Sequence, residues 1–126
     1  VRQIWPGILL ANGGITTPEK AKEVLHDTGA DGVGIARGSW GLPWIFEQIR
    51  DYLNTNTYTQ KTWEEIKRIM LQHATVALAT KGEYGLIELR KHLSWYTKGQ
   101  PKASNIRAHL VQIKTIDDVR QILQNS

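Results

Sequence analysis

The sequence predicts two β/α units followed by an all-α helical bundle. Three observations carry that expectation. Two short apolar runs, Ile8–Ala11 and Gly32–Ile35, each end in a glycine-bearing loop and are each followed by a helical pattern. A polar stretch over residues 54–61 has no periodicity. Beyond it, apolar residues recur only at helical spacing.

Taken in order, Ile8-Leu9-Leu10-Ala11 is apolar on consecutive residues, which predicts a strand buried on both faces, as in a parallel sheet. It runs into Asn12-Gly13-Gly14. Thr17 then suits an N-cap, Pro18 the first helical position and Glu19 the positive end of the helix dipole. Ala21, Val24 and Leu25 form the apolar stripe, and Gly29 the stop. The second strand, Gly32-Val33-Gly34-Ile35, ends in Ala36-Arg37-Gly38, and Pro43 is expected to open a helix through Tyr52. Strand–helix–strand–helix with short connections signals parallel strands over residues 1–53, with 54–61 as a linker.

Residues 62–126 are expected to form the bundle. Thr62 and Glu65 have the spacing of a capping box, and Ile66, Ile69, Met70, His73, Val76 and Ala77 follow on one stripe. Gly82 and Gly85 are expected to bracket a break. Leu86, Leu89, Leu93 and Tyr96 mark the next helix, stopped by Gly99 and Pro101. A third is expected through Ile106, Leu110 and Ile113, and a fourth from Thr115 as N-cap through Val119, Ile122 and Leu123.

Composition narrows the chemistry. The 126 residues are 40% hydrophobic and contain no cysteine, so disulfides, thiolate ligands and a cysteine nucleophile are excluded within them. His26, His73, His92 and His109 have no metal-site spacing, so no metal is expected. No apolar run reaches membrane-span length and no leader pattern opens the chain, so a soluble protein is expected. The first residue is Val1, which suggests a piece of a longer protein.

The net charge of +4 is unevenly placed. Residues 1–50 hold five Lys/Arg and five Asp/Glu, whereas residues 81–107 hold six basic groups against Glu83 and Glu88 alone. Such an excess suits a polyanionic partner, although a solvated surface would look the same.

Two constellations could carry function. The loops Asn12-Gly13-Gly14 and Ala36-Arg37-Gly38 follow successive parallel strands. In a β/α barrel both lie on the face where active sites form, and the last two strands often build a phosphate site. Glycines let backbone N–H groups approach an anion, Arg37 adds a charged fork, and Asn12 a neutral donor. Either loop alone is a weak signal, because glycine-rich turns end many strands. The second constellation is Arg90-Lys91-His92, then Trp95-Tyr96, Lys98, Lys102 and Arg107. Basic groups interleaved with aromatics suit RNA. Trp95 and Tyr96 are expected as core anchors, whereas Arg90 and Lys91 suit an RNA contact and a solvated rim equally. His92 could reach a phosphate. His73 lies on an apolar stripe and is expected as a satisfied core histidine.

These motifs, in this order, resemble the C-terminal part of the flavin-dependent tRNA-dihydrouridine synthases. Ala11-Asn12-Gly13-Gly14-Ile15 is similar to that family's Gly-Asn-Gly-Asp-Ile. Gly29-Ala30-Asp31-Gly32-Val33 and Ile35-Ala36-Arg37-Gly38 resemble its Gly-Ala-Asp-Gly and Ile-Gly-Arg-Gly. Leu42-Pro43-Trp44-Ile45-Phe46 resembles its Asn-Pro-Trp-Ile-Phe, and Arg90-Lys91-His92, Trp95-Tyr96, Lys98-Gly99 and Arg107 its Arg-Lys-His helix. The resemblance implies the last two β/α units of a TIM barrel that holds FMN, followed by a helical tRNA-binding domain in a cytoplasmic protein. Asn12, Gly13, Ala36 and Arg37 would fall at the FMN phosphate. Arg90, Lys91, His92, Lys98 and Arg107 would face tRNA. In the family, NADPH reduces the flavin, hydride passes to a uridine, and a cysteine protonates the other carbon. That cysteine is expected upstream, so the chain alone is expected to be inactive. The alternatives are a stand-alone RNA-binding helical module and a piece of another FMN barrel. Isolated β/α units are also expected to expose sheet edges and self-associate.

Overall fold

A computed structural model describes all residues from 1 to 126, in two compact units, Val1–Gln60 and Lys61–Ser126.

In the first unit, strand β1 (Leu10–Asn12) pairs in parallel with β2 (Gly32–Gly34), with Ala11 opposite Val33. Helix α1 (Pro18–Thr28) makes the crossover, and α2 (Ile45–Thr55) follows a single 3-10 turn at Arg37–Ser39. Thr17 caps α1 by accepting from the Lys20 N–H, and Gly29 ends it in the left-handed region at φ 65°. Side chains alternate across a strand. Val33 therefore packs on the helix side, against a core of Ile15, Ala21, Ile45 and Ile49. On the opposite side Leu10 lies over Gly32 and Asn12 over Gly34, where a Cβ would collide with either.

That opposite side is open. Leu10 is 58% exposed and Ile8 is 82% exposed, contrary to the expectation of strands buried on both faces. Two strands covered by helices on one side have nothing on the other. Arg2 and Asp31 fasten this sheet at its start. The Asp31 carboxylate accepts from the Leu9 N–H at 2.8 Å and from the Arg2 guanidinium at 2.5 Å. The Leu9 hydrogen bond first, and Arg2 second, hold the Asp31 carboxyl below its ordinary value.

Helix α2 starts later than expected. The Ile45 N–H donates to Leu42, so Pro43 and Trp44 form a tight turn ahead of the helix. The polar stretch after it is tied back to this unit: Gln48 donates to the Thr59 carbonyl at 2.8 Å, and the Tyr58 hydroxyl to Glu19 at 2.9 Å.

The second unit is four helices, α3 (Trp63–Lys81), α4 (Glu83–Tyr96), α5 (Ala103–Leu110) and α6 (Ile116–Gln124). They pack in a ring, α3 on α4, α4 on α5, α5 on α6 and α6 on α3. Met70, Leu86, Leu93, Leu110, Ile113 and Val119 fill its middle. Capping boxes open α3 at Thr62 with Glu65 and α6 at Thr115 with Asp118. Only Gly82 breaks the chain between α3 and α4, at φ 65° and ψ −158°. Gly85 lies inside α4, where an added Cβ would strike the Ala77 carbonyl of α3. Helix α5 ends at Leu110, so Ile113 sits in the following turn, still buried. No helix is long and apolar enough to cross a membrane.

Candidate functional site

The two glycine-bearing loops of the first unit line one cavity of about 580 Å³, built from residues 12–16 and 34–38. Parallel pairing of β1 and β2 produces this, because both strands end at the same side of the sheet. Gly13 has φ 111° and Gly14 φ 64°, conformations that side chains resist. A Cβ at Gly34 would meet the Asn12 carboxamide, and one at Gly38 the Ile15 carbonyl oxygen. The backbone therefore folds closely around the cavity. Ala36 has φ −109° and ψ −99°, outside the regular helical and extended regions, where the chain turns into the 3-10 segment. Asn12 and Arg37 are exposed, and Arg37 has no ion-pair partner. The cavity thus combines glycine backbone, one carboxamide and one uncommitted guanidinium. Those are groups that suit a cluster of anionic oxygens, such as a phosphate monoester.

In the second unit the five basic candidates are dispersed. Each residue along a helix turns about 100° from the last. Arg90 turns toward the α5–α6 connection, donating from Nε at 2.9 Å and from Nη2 at 2.5 Å to the Ile113 carbonyl. Lys91 projects outward over the Trp95 ring, 6.0 Å from its centroid. His92 turns toward α3 and meets Trp95 edge to face at 4.6 Å. Lys98 is exposed in the turn after α4. Arg107 of α5 donates to the Thr97 hydroxyl at 3.3 Å, one residue from Lys98. Arg107 and Lys98 are thus brought near each other, whereas Arg90 is committed elsewhere.

A second cavity, also about 580 Å³, lies between α3 and α4, and sequence reasoning did not find it. Val76, Ala77 and Leu89 line it with apolar surface, together with His73, Lys91 and His92. His73 Nδ1 lies 3.1 Å from the Tyr96 hydroxyl. Burial, and secondarily His92, hold His73 below the ordinary histidine value. Burial, then Lys91, does the same to His92. The signal present in the sequence was the i, i+3 and i+4 spacing of His73, Val76 and Ala77, which gives a shared face but not what faces it.

The family model for dihydrouridine synthase matches residues 1–126. The chain is 46% identical over 101 residues to the tRNA-dihydrouridine synthase B of Vibrio vulnificus, covering 79% of this chain and 31% of that protein. It is 41% identical to the tRNA-dihydrouridine synthase B of Vibrio cholerae, over 92% of this chain and 37% of the relative. A probable tRNA-dihydrouridine synthase 1 of Synechocystis is 34% identical over the whole chain and 36% of its own length. The chain spans about a third of the length of these curated relatives. A match along all 126 residues, with relatives above 30% identity, places the chain in the dihydrouridine synthase family.

Proposed function

We propose that this chain is the portion of an FMN-dependent tRNA-dihydrouridine synthase that holds the FMN phosphate and contributes a helical tRNA-binding domain. On this reading residues 1–53 are the last two β/α units of a TIM barrel, and residues 62–126 follow a linker at 54–61. The observation that carries the reading is the convergence of residues 12–14 and 36–38 on one cavity, in a chain of this family.

Gly13 and Ala36 present backbone N–H groups to the phosphate. Asn12 adds a neutral donor and Arg37 a charged one. Their work is anchoring: they fix one end of the cofactor so that its ring is held in register with the substrate. FMN, when bound and reduced by NADPH, supplies hydride for the conversion of uridine to dihydrouridine. The chain contains no cysteine, so the proton donor belongs to another part of the protein, and residues 1–126 alone do not turn over. Lys91, Lys98 and Arg107 meet the tRNA backbone, with His92 on the same tRNA-facing surface and Arg90 supporting it from behind. The protein is cytoplasmic, where its tRNA substrate resides.

A stand-alone RNA-binding module is the second reading. It is favoured by the charge: residues 61–126 hold eleven Lys/Arg against six Asp/Glu and have their own core. Two titrations of the intact chain separate the readings. FMN and riboflavin are compared in the wild type and in Arg37→Ala. The first reading expects FMN to bind tighter than riboflavin, and Arg37→Ala to weaken FMN alone by about tenfold, the scale of one charged hydrogen bond. tRNA is then titrated at low and moderate salt beside a Lys91→Ala/Lys98→Ala variant. Salt-sensitive binding that weakens in the variant supports the helical domain as an RNA grip. tRNA binding without FMN discrimination leaves the second reading.

A further inference from the structure

The groove between α3 and α4 is unaccounted for by phosphate contacts alone. Val76, Ala77 and Leu89 give its lining apolar surface. One end is pinched, because Gly85 lets α4 approach the Ala77 carbonyl of α3. At the other end the rings of His73 and His92 stand 6.3 Å apart, centroid to centroid, tilted by 58°. Both rings are fixed in place. Trp95 abuts His92 edge to face, and His73 Nδ1 is engaged by the Tyr96 hydroxyl. With Nδ1 engaged, His73 Nε2 is the ring nitrogen left for a ligand.

Charge selects among occupants. The one carboxylate on the groove, Glu88, is 2.5 Å from Lys81 Nζ and so is already neutralised. Lys91 has no carboxylate partner and touches only the face of Trp95. A groove that combines apolar Val76, Ala77 and Leu89 with two imidazoles and one cation lacking a carboxylate partner is poorly matched to a bare phosphate, which wants several charged donors. It also offers no anion to a basic peptide. It matches a heteroaromatic ring attached to a phosphodiester. Histidine is among the side chains on which unpaired bases stack. Burial keeps both imidazoles neutral near pH 7, so each has one donor and one acceptor nitrogen rather than a charge.

We propose that the α3–α4 groove seats one unstacked nucleobase of an RNA strand, against His92 and within reach of His73 Nε2, with Lys91 on the adjoining phosphate. This rests on the tRNA-binding reading above and deepens it, by giving the helical unit a contact to a base rather than to backbone only.

The test uses the intact chain and two five-nucleotide probes with equal phosphate number, one of uridines and one abasic. Counterion release is the same for both, so their difference isolates the bases. The wild type is expected to bind the uridine probe about tenfold tighter, within the range of base stacking. Ala77→Met, which adds bulk to the groove lining without adding charge, and His92→Ala should each reduce that ratio below about twofold. Lys91→Ala should weaken both probes equally and lower the salt slope by about 0.7. Circular dichroism on each variant selects those that keep the helical unit, and the two groove variants act on different helices, so one suffices. Intact tRNA is titrated in parallel. If tRNA binds but the wild type does not distinguish the two probes, the groove proposal is overturned and the tRNA reading stands. A preference that survives both groove variants also overturns it, because the base then sits elsewhere. If neither tRNA nor either probe binds at low salt, the tRNA reading and the groove proposal fall together.

Discussion

Arg90, Lys91 and His92 are adjacent in sequence and occupy three different surroundings. Helical rotation sends them to the α5–α6 connection, to solvent and to α3, respectively. Arg90 is half-buried and makes two hydrogen bonds to one carbonyl. Arg90→Ala should therefore lower stability by about 1.5–3 kcal/mol in urea denaturation, the range for hydrogen bonds to a charged group. Arg90→Lys should recover little, since an ammonium cannot reproduce the planar fork. The neighbouring His73 gives a pH signature. Its folded-state pKa lies below the ordinary 6.5, so protonation favours the unfolded chain. Its contribution is present above 6.5 and is lost as pH falls through the lowered folded value. His92 acts in the same direction. Glu65 and Asp118, also lowered, lose their contributions only below their ordinary 4.5 and 3.8. The melting temperature should thus drop by a few degrees between about pH 7 and about pH 5, and less in His73→Phe.

At the scale of single elements, Gly85 separates local preference from packing. Gly-to-Ala inside a helix is worth about 1 kcal/mol in favour of Ala. Here the added Cβ would meet the Ala77 carbonyl, and overpacking costs about 1–3 kcal/mol. Gly85→Ala should be neutral to destabilising, by up to about 2 kcal/mol, and a clear rise in melting temperature would refute the close α3–α4 approach. The helix starts were legible because caps are local: Thr17, Thr62 and Thr115 each bond a backbone N–H three residues on. The end of α5 and the start of α2 were misplaced by a few residues. Ile113 keeps its apolar spacing in a turn, and Pro43 belongs to the turn before its helix rather than to the first helical position.

For the molecule as a whole, the consequence lies in the first unit. The sheet has one helix-covered side and one open side, with Ile8 at 82% and Leu10 at 58% exposure. Both strands also have an unpaired edge. The chain should self-associate with concentration by light scattering, and Ile8→Lys with Leu10→Lys should shift it toward monomer. The double change lies outside the core, so cooperative unfolding should persist. A wild type that stays monomeric at high concentration would count against an accessible open face.

By itself, the sequence determined the elements, the capping residues, the strand–helix–strand–helix order and the placement of positive charge after residue 60. These depend on spacing within a few residues or on simple counting. The family resemblance was legible for the same reason, since its motifs are contiguous. Only the tertiary structure decided what those segments meet. Residues 12–14 and 36–38 converge on one cavity because β1 and β2 pair in parallel and in register. Arg90 is tied to a carbonyl 23 residues away. The α3–α4 groove joins the close approach at Gly85 to His73 and His92, residues far apart in the chain that packing brings to one place. Contacts between residues distant in the chain depend on packing of whole faces, and no local pattern encodes which side chain stands opposite.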